Sequence, residues 1–215
     1  SKVNKNNNMS EAEKIAKKEN VKIRENEVRQ LTLEDYSTDV FSMKKPTGWT
    51  VEGAGIGVFY AIRAYDPQNT NNQVFLMVKI QPLLKSDSAK STWQNYYNLT
   101  GGNVQYKVFA DAVVLNNPTT EGFYNKFGEI TSYVNSIEPT LSSFKFPTFN
   151  NFTKQEEFES TASMKSLALD SKVLRATFQG ANAKDGEGLF LASVVNFGNQ
   201  YQSGVDMLYY MVYDI

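Results

Sequence analysis

One stretch constrains this chain more than any other: Asp39 to Leu84, DVFSMKKPTGWTVEGAGIGVFYAIRAYDPQNTNNQVFLMVKIQPLL. β-Branched and aromatic residues fill runs of strand length, and Gly, Pro, Asn and Asp fill the gaps between them. The pattern predicts three successive strands. Phe41–Lys45 leads through the bend Pro46-Thr47-Gly48 into Trp49–Glu52. Gly53–Gly57 reads as a flexible break, Val58–Tyr65 as a second strand, Asp66–Asn72 as a polar turn and Gln73–Leu84 as a third strand. Strands joined by turns this short must be antiparallel.

The rest of the chain fits that start. Ser10 and Glu13 make a capping box for a short helix within Met9–Asn20, whose apolar content is thin. Val28, Leu31 and Leu33 suit an edge strand. Ser86-Asp87-Ser88 opens a helix carrying Ala89, Trp93, Tyr96, Tyr97 and Thr100 at helical spacing, and Gly101-Gly102 closes it. Gln105–Leu115 reads as a strand. Phe123, Phe127, Ile130, Val134 and Ile137, spaced 4, 3, 4 and 3, mark one face of a second helix that Pro139 stops. Leu141–Phe152 is an aromatic connector. Thr153 with Glu156 makes another capping box, which predicts about three helical turns through Phe158 and Ala162. Three strands then follow, at Lys172–Gln179, Gly188–Phe197 and Val205–Tyr213, with a loop containing Asp185-Gly186 between the first two. The last strand is apolar on both faces and belongs in the middle of a sheet. The expectation is an α+β fold, with one antiparallel sheet of about six to seven strands sandwiched between helices. Residues 1–20 read as a flexible tether with a weak helix, and 21–215 as a single domain.

Composition narrows the chemistry. The 215 residues contain no histidine and no cysteine. Imidazole acid–base catalysis, thiol nucleophiles, disulfides and the commonest transition-metal ligands are therefore excluded. Carboxylate, Lys, Tyr, Ser and Thr chemistry remains. A net charge of −1 gives no global field toward nucleic acid. No apolar run reaches the roughly 18 residues of a membrane helix. The Lys- and Asn-rich start, Ser1–Asn8, reads as a solvated spacer behind an anchor that lies outside this sequence. With the missing cysteines it favours an extracytoplasmic protein, tethered or secreted, over a cytoplasmic one.

Phe41-Ser-Met-Lys-Lys-Pro-Thr-Gly-Trp49, an entry strand followed by Pro-x-Gly-Trp and a second strand, resembles the opening of PsbP-like domains. That family includes photosystem II extrinsic proteins, a Ran-binding import factor of the same fold and many bacterial lipoproteins. The segments Lys172–Gln179 and Glu187–Ala192 look similar to lipoproteins of Gram-positive bacteria. The motif covers about ten residues and the element order most of the chain. The resemblance implies an α/β/α arrangement and an extracytoplasmic location. It carries over no catalytic residue and no cofactor.

Each candidate site competes with a structural reading. Gly53-x-Gly-x-Gly57 lacks the following helix that a phosphate loop needs, because a strand sequence comes next. Asp66, Asn69, Asn71 and Asn72 offer oxygens to a hard cation but lack calcium-loop spacing and its closing Glu. The Asp185-Gly-Glu187 loop has the same weakness. Glu156, Glu157 and Glu159 could supply paired carboxylates, yet a solvated first helical turn explains them. Trp93, Tyr96, Tyr97 and Trp49 are the candidate ligand-binding residues if exposed; at i, i+3 and i+4 the first three also suit a core. The expected function is non-catalytic binding of a protein or cell-envelope partner. An aromatic carbohydrate- or peptidoglycan-binding module is the alternative, and a carboxylate-only hydrolase the third reading.

Overall fold

The computed structural model describes residues 10–16, 31–39, 41–57, 59–78, 81–161, 165–196 and the backbone of 207–211. The chain divides into two compact units, Ser1–Trp49 and Thr50–Ile215. The expected tether boundary at residue 20 lies outside the described residues.

In the first unit, helix α1 is described over residues 11–16. Its capping box forms as expected: Glu13 N–H donates to Ser10 Oγ (3.2 Å), and Ser10 N–H donates to Glu13 Oε2 (2.7 Å). Strands β1 (Leu33–Ser37) and β2 (Ser42–Pro46) make an antiparallel hairpin. Buried Lys45 is held by Glu34 and donates to Trp49 O at 2.9 Å. The Pro46-Thr47-Gly48-Trp49 bend closes with Trp49 N–H donating to Pro46 O (3.1 Å), and Gly48 takes φ +85°. That conformation is the reason for glycine at the third position of this turn.

The second unit contains the hydrophobic core. Strands β3 (Thr50–Ile56), β4 (Phe59–Asp66) and β5 (Asn69–Val78) form an antiparallel meander. Gly53–Ile56 is part of β3 rather than a flexible break. Gly55 is needed for close approach: its φ is +114°, and a Cβ there would lie 2.0 Å from Phe59 O. Strand β6 (Pro82–Leu84) follows, then helices α2 (Asp87–Leu99) and α3 (Val104–Ala110). Ser86 caps α2 as predicted, accepting from Ala89 N–H (3.1 Å), and Gly101 and Gly102 take φ +68° and +85° after it.

The expected strand at Gln105–Leu115 is largely helix. Asn103 caps α3 by accepting from Gln105 N–H (3.0 Å), Tyr106 and Phe109 pack on Trp93 of α2, and Ala110 is buried. Only the end of that segment is extended, where Leu84 and Val114 make an isolated parallel bridge. The long apolar stripe is realised as two helices, α4 (Thr120–Asn125) and α5 (Phe127–Ile137), because the chain departs from helical geometry at Lys126 (φ −104°, ψ 5°). A 3-10 turn, Pro139–Leu141, ends the run.

The segment expected as a helix from Thr153 is strand β7 (Asn150–Phe158). Its partner decides this. Strand β9 (Val173–Gln179) pairs with it and sets Thr153 opposite Thr177 and Glu156 opposite Arg175. Strands β8 (Ala168–Asp170), β10 (Asp185–Phe190), β11 (Ser193–Val195) and β12 (Met207–Met211) complete the set. The Asp185-Gly186 step lies in β10, while the turn itself is Gly180–Lys184.

The fold is α+β with antiparallel sheets, but the sheet is not single. Among the described residues the second unit has three sheets: β3-β4-β5, β10-β9-β7 and β6-β12-β11-β8. β12 is central, as its apolar sequence predicts. Helices α4 and α5 pack on two of these sheets. Phe127 meets Phe75 of β5 at 5.8 Å between ring centroids, and Tyr124 meets Phe190 of β10 at 4.9 Å. Each such buried aromatic contributes roughly 2–3 kcal/mol. Thr120 and Tyr124 fix the helix to the chain just before β9 and β11: Thr120 Oγ1 donates to Lys172 O (2.7 Å) and Tyr124 OH to Leu191 O (3.1 Å).

Candidate binding surface

The four aromatic candidates separate into different environments. Trp93 is 7% exposed and stacks on Phe109 of α3, with ring centroids 4.4 Å apart. Tyr106 touches both Trp93 and Tyr96, each at 6.0 Å. Tyr96 is 38% exposed, and Tyr97 is half-buried with Lys107 over its ring at 6.0 Å. Trp49, half-buried, belongs to the first unit. Within the second unit Trp93, Tyr96 and Tyr97 come together as packing between α2 and α3. The i, i+3, i+4 spacing on α2 has the packing meaning of a core stripe, extended by Tyr106 and Phe109.

What this packing holds in place is an apolar surface that sequence reasoning did not single out. Leu99 is 83% exposed and Val104 75%, at the two ends of the tight α2–α3 turn. Val108, one turn further along α3, and Tyr96, one turn back along α2, are also exposed. A signal was present in the sequence: aliphatic residues on both sides of Gly101-Gly102, where polar residues would be expected. The turn is fixed, because Gly102 N–H donates to Tyr97 O (2.9 Å) and Thr100 Oγ1 to Tyr96 O (2.8 Å). Lys107 is paired with Asp111 at the edge of this surface (2.5 Å). That bond, with the Asp111 charge, holds the Lys107 ammonium above its ordinary pKa.

The other candidates are absorbed by structure. Gly53–Gly57 lies in the β3–β4 hairpin. Asp66 Oδ1 accepts from Gln68 N–H (2.9 Å) and Asn69 Oδ1 from Asn71 N–H (3.3 Å), so both oxygens serve the turn. Glu156 pairs with Arg175 (3.1 Å), Glu157 with Lys154 (2.9 Å), and Glu159 with Lys165 (3.0 Å) and Lys172. Glu187 also pairs with Arg175, at 2.8 Å. Among the described residues no group of three or more His, Cys, Asp or Glu is placed to hold a metal. No helix among them is long and apolar enough to cross a membrane.

The second unit also has a concavity of about 540 Å³ with a mixed lining, in which Arg63, Thr131, Asn135 and Lys145 stand beside Phe144 and Phe146. Of its charged lining residues Arg63 is ion-paired. Glu52, opposite Arg63 across β3 and β4, accepts from Arg63 Nη2 (2.8 Å) and from Tyr65 OH (2.9 Å). Burial pushes the Glu52 carboxyl up. The hydrogen bonds from Tyr65 and Arg63, with the charges of Arg63 and Lys145, outweigh it and hold the group below the ordinary carboxylate value. Asn135 Nδ2 is committed to Leu141 O and Phe144 O.

The chain matches no protein-family model, no curated protein and no solved structure.

Proposed function

We propose that this chain is a non-catalytic binding domain, held outside the cytoplasm, that engages a protein or cell-envelope partner through the α2–α3 turn. The observation that carries this reading is the exposure of Leu99 and Val104, 83% and 75%, on a turn whose backbone is fixed. Large aliphatic side chains left in water at both ends of a fixed turn suit an interaction surface where they form a contiguous patch. Glu156, Glu157, Glu159 and Glu187 are all ion-paired, which leaves a carboxylate-only hydrolase with the least support. A carbohydrate platform needs coplanar exposed rings, and only Tyr96 of the four candidates is exposed.

The location rests on the absent cysteines, the composition of residues 1–8 and the resemblance to PsbP-like domains at Phe41–Trp49. The finer architecture implied by that resemblance, one sheet between helices, requires the separate sheets to be joined.

The test is co-sedimentation with isolated Gram-positive cell envelopes. Wild-type protein is expected to sediment with them, and the Leu99→Asp/Val104→Asp variant to stay in solution with an unchanged circular dichroism spectrum. Both residues are exposed, so their substitution costs about 0.5 kcal/mol or less in stability. Failure of wild type to associate, or equal association of the variant, overturns the proposal. Retention by protein-free peptidoglycan that Tyr96→Ala abolishes would favour the carbohydrate reading instead.

A further inference from the structure

The two three-stranded sheets of the second unit end on edges that share a cleft. Among the described residues β5 pairs only with β4 and β10 only with β9, so each keeps one backbone edge without a strand partner. At one end the two edges are fastened: Asn71 Nδ2 donates to Lys184 O (2.9 Å) and Asp185 O (3.3 Å). From there β5 runs through Gln73 to Phe75, and β10 through Glu187 to Phe190. These segments line a cleft of about 260 Å³ between them.

The cleft has an apolar floor. Phe75, Phe178 and Phe190 are buried there, and Phe149 sits between them, 5.0 Å from both Phe178 and Phe190. Gly188 supplies no side chain to fill it; a Cβ at that position would lie 3.2 Å from the Phe190 ring. Val74 and Leu189 stand exposed on the outer rim. Gln73 Oε1 is buried in the wall with no hydrogen-bond partner among the described residues.

Strand direction identifies what fits. β5 and β10 leave the Asn71 fastening in the same sense. One strand running opposite to both would face open N–H and C=O groups on each side. The order β3-β4-β5-insert-β10-β9-β7 would then alternate in direction throughout, because β3/β4, β4/β5, β10/β9 and β9/β7 are already antiparallel. A folded second copy cannot fill this role: each described strand is already paired on at least one side, whereas the insert needs both of its edges free.

We propose that this cleft takes an extended peptide segment of a partner protein, apolar at alternate residues, by strand addition that joins two sheets into one of seven strands. Its inward residues would meet the Phe149 floor, and its outward residues would pass between Val74 and Leu189. Glu187–Phe190 matches about four residues of insert, roughly 13 Å at ~3.3 Å each. The proposal uses different elements from the α2–α3 surface and stands or falls separately from it.

The experiment uses the full chain and blocked, fluorescently labelled heptapeptides. Each has Lys at both ends, Val, Leu or Phe at the third and fifth positions, and Thr elsewhere. Titration is followed by hydrogen–deuterium exchange. At least one peptide is expected to bind saturably and to slow exchange in residues 73–75 and 187–190. The same peptide with Pro at its centre, which removes one N–H, is expected to bind about tenfold or more weakly. The exposed-rim variant Val74→Lys/Leu189→Lys should unfold at the wild-type temperature yet lose about tenfold in affinity. Absence of saturable binding by all three peptides up to about 1 mM overturns the proposal. So does protection confined to other segments, or equal affinity for the Pro peptide.

Discussion

At the scale of single residues, placement across a strand pair carries more consequence than residue type. Glu52, Arg63 and Tyr65 are distant enough in sequence to suggest nothing, yet the β3–β4 register sets Glu52 opposite Arg63 and within reach of Tyr65. The Glu52 carboxyl titrates below its ordinary value in the folded chain, so the unfolded chain binds its proton more readily. Its contribution is present above the unfolded pKa of about 4.3 and is lost as pH falls through the folded value. Urea denaturation between pH 7 and pH 2.5 should therefore show Glu52→Gln losing less stability on acidification than wild type. Equal acid sensitivity would mean that the Glu52–Arg63–Tyr65 contact does not form. Trp93 gives the complementary lesson. An aromatic on a helix is open to either reading from sequence, and its partner Phe109, stacked at 4.4 Å, makes it core.

Among elements, the hairpins and the amphipathic helices follow local rules and were legible. The Ser86 cap, the α4–α5 stripe and the β3-β4-β5 meander all come from spacing and turn residues within a few positions. Gly55 tests the meander. Its φ of +114° and the 2.0 Å separation that a Cβ would have from Phe59 O leave no room for a side chain. Gly55→Ala should lower stability by about 2 kcal/mol or more, read as a fall in the urea midpoint. An unchanged midpoint would argue against this hairpin geometry. Two elements that depart from their local sequence signals share one cause. QYKVFADAVVL has the residues of a strand, and a Thr–Glu capping box introduces the segment that becomes β7. In the first, packing of Tyr106 and Phe109 on α2 favours the helix. In the second, a ladder to β9, some twenty residues away, favours the strand. Propensities worth a few tenths of a kcal/mol per residue yield to such contacts.

For the whole molecule, every buried residue of the main core cluster lies beyond Trp49 among the described residues. A chain starting at Thr50 should keep a cooperative thermal transition in near-UV circular dichroism, since the aromatic network through Tyr124, Phe149 and Phe190 is intact in it. A gradual, non-cooperative loss of signal would show that residues 1–49 are required for the core to form. The sequence by itself determined the α+β class, the antiparallel meander, the apolar helix face and the exclusion of imidazole and thiol chemistry. These depend on composition, periodicity and turn residues, which act within a few positions of chain. Only the tertiary structure decided that the strands divide among separate sheets, that Trp93 is internal, that Leu99 and Val104 face water, and that, among the described residues, β5 and β10 each keep one edge without a strand partner. Each of those depends on which distant segment lies alongside, and the pairing of segments far apart in sequence is set by the combined packing of the core, which no local pattern encodes.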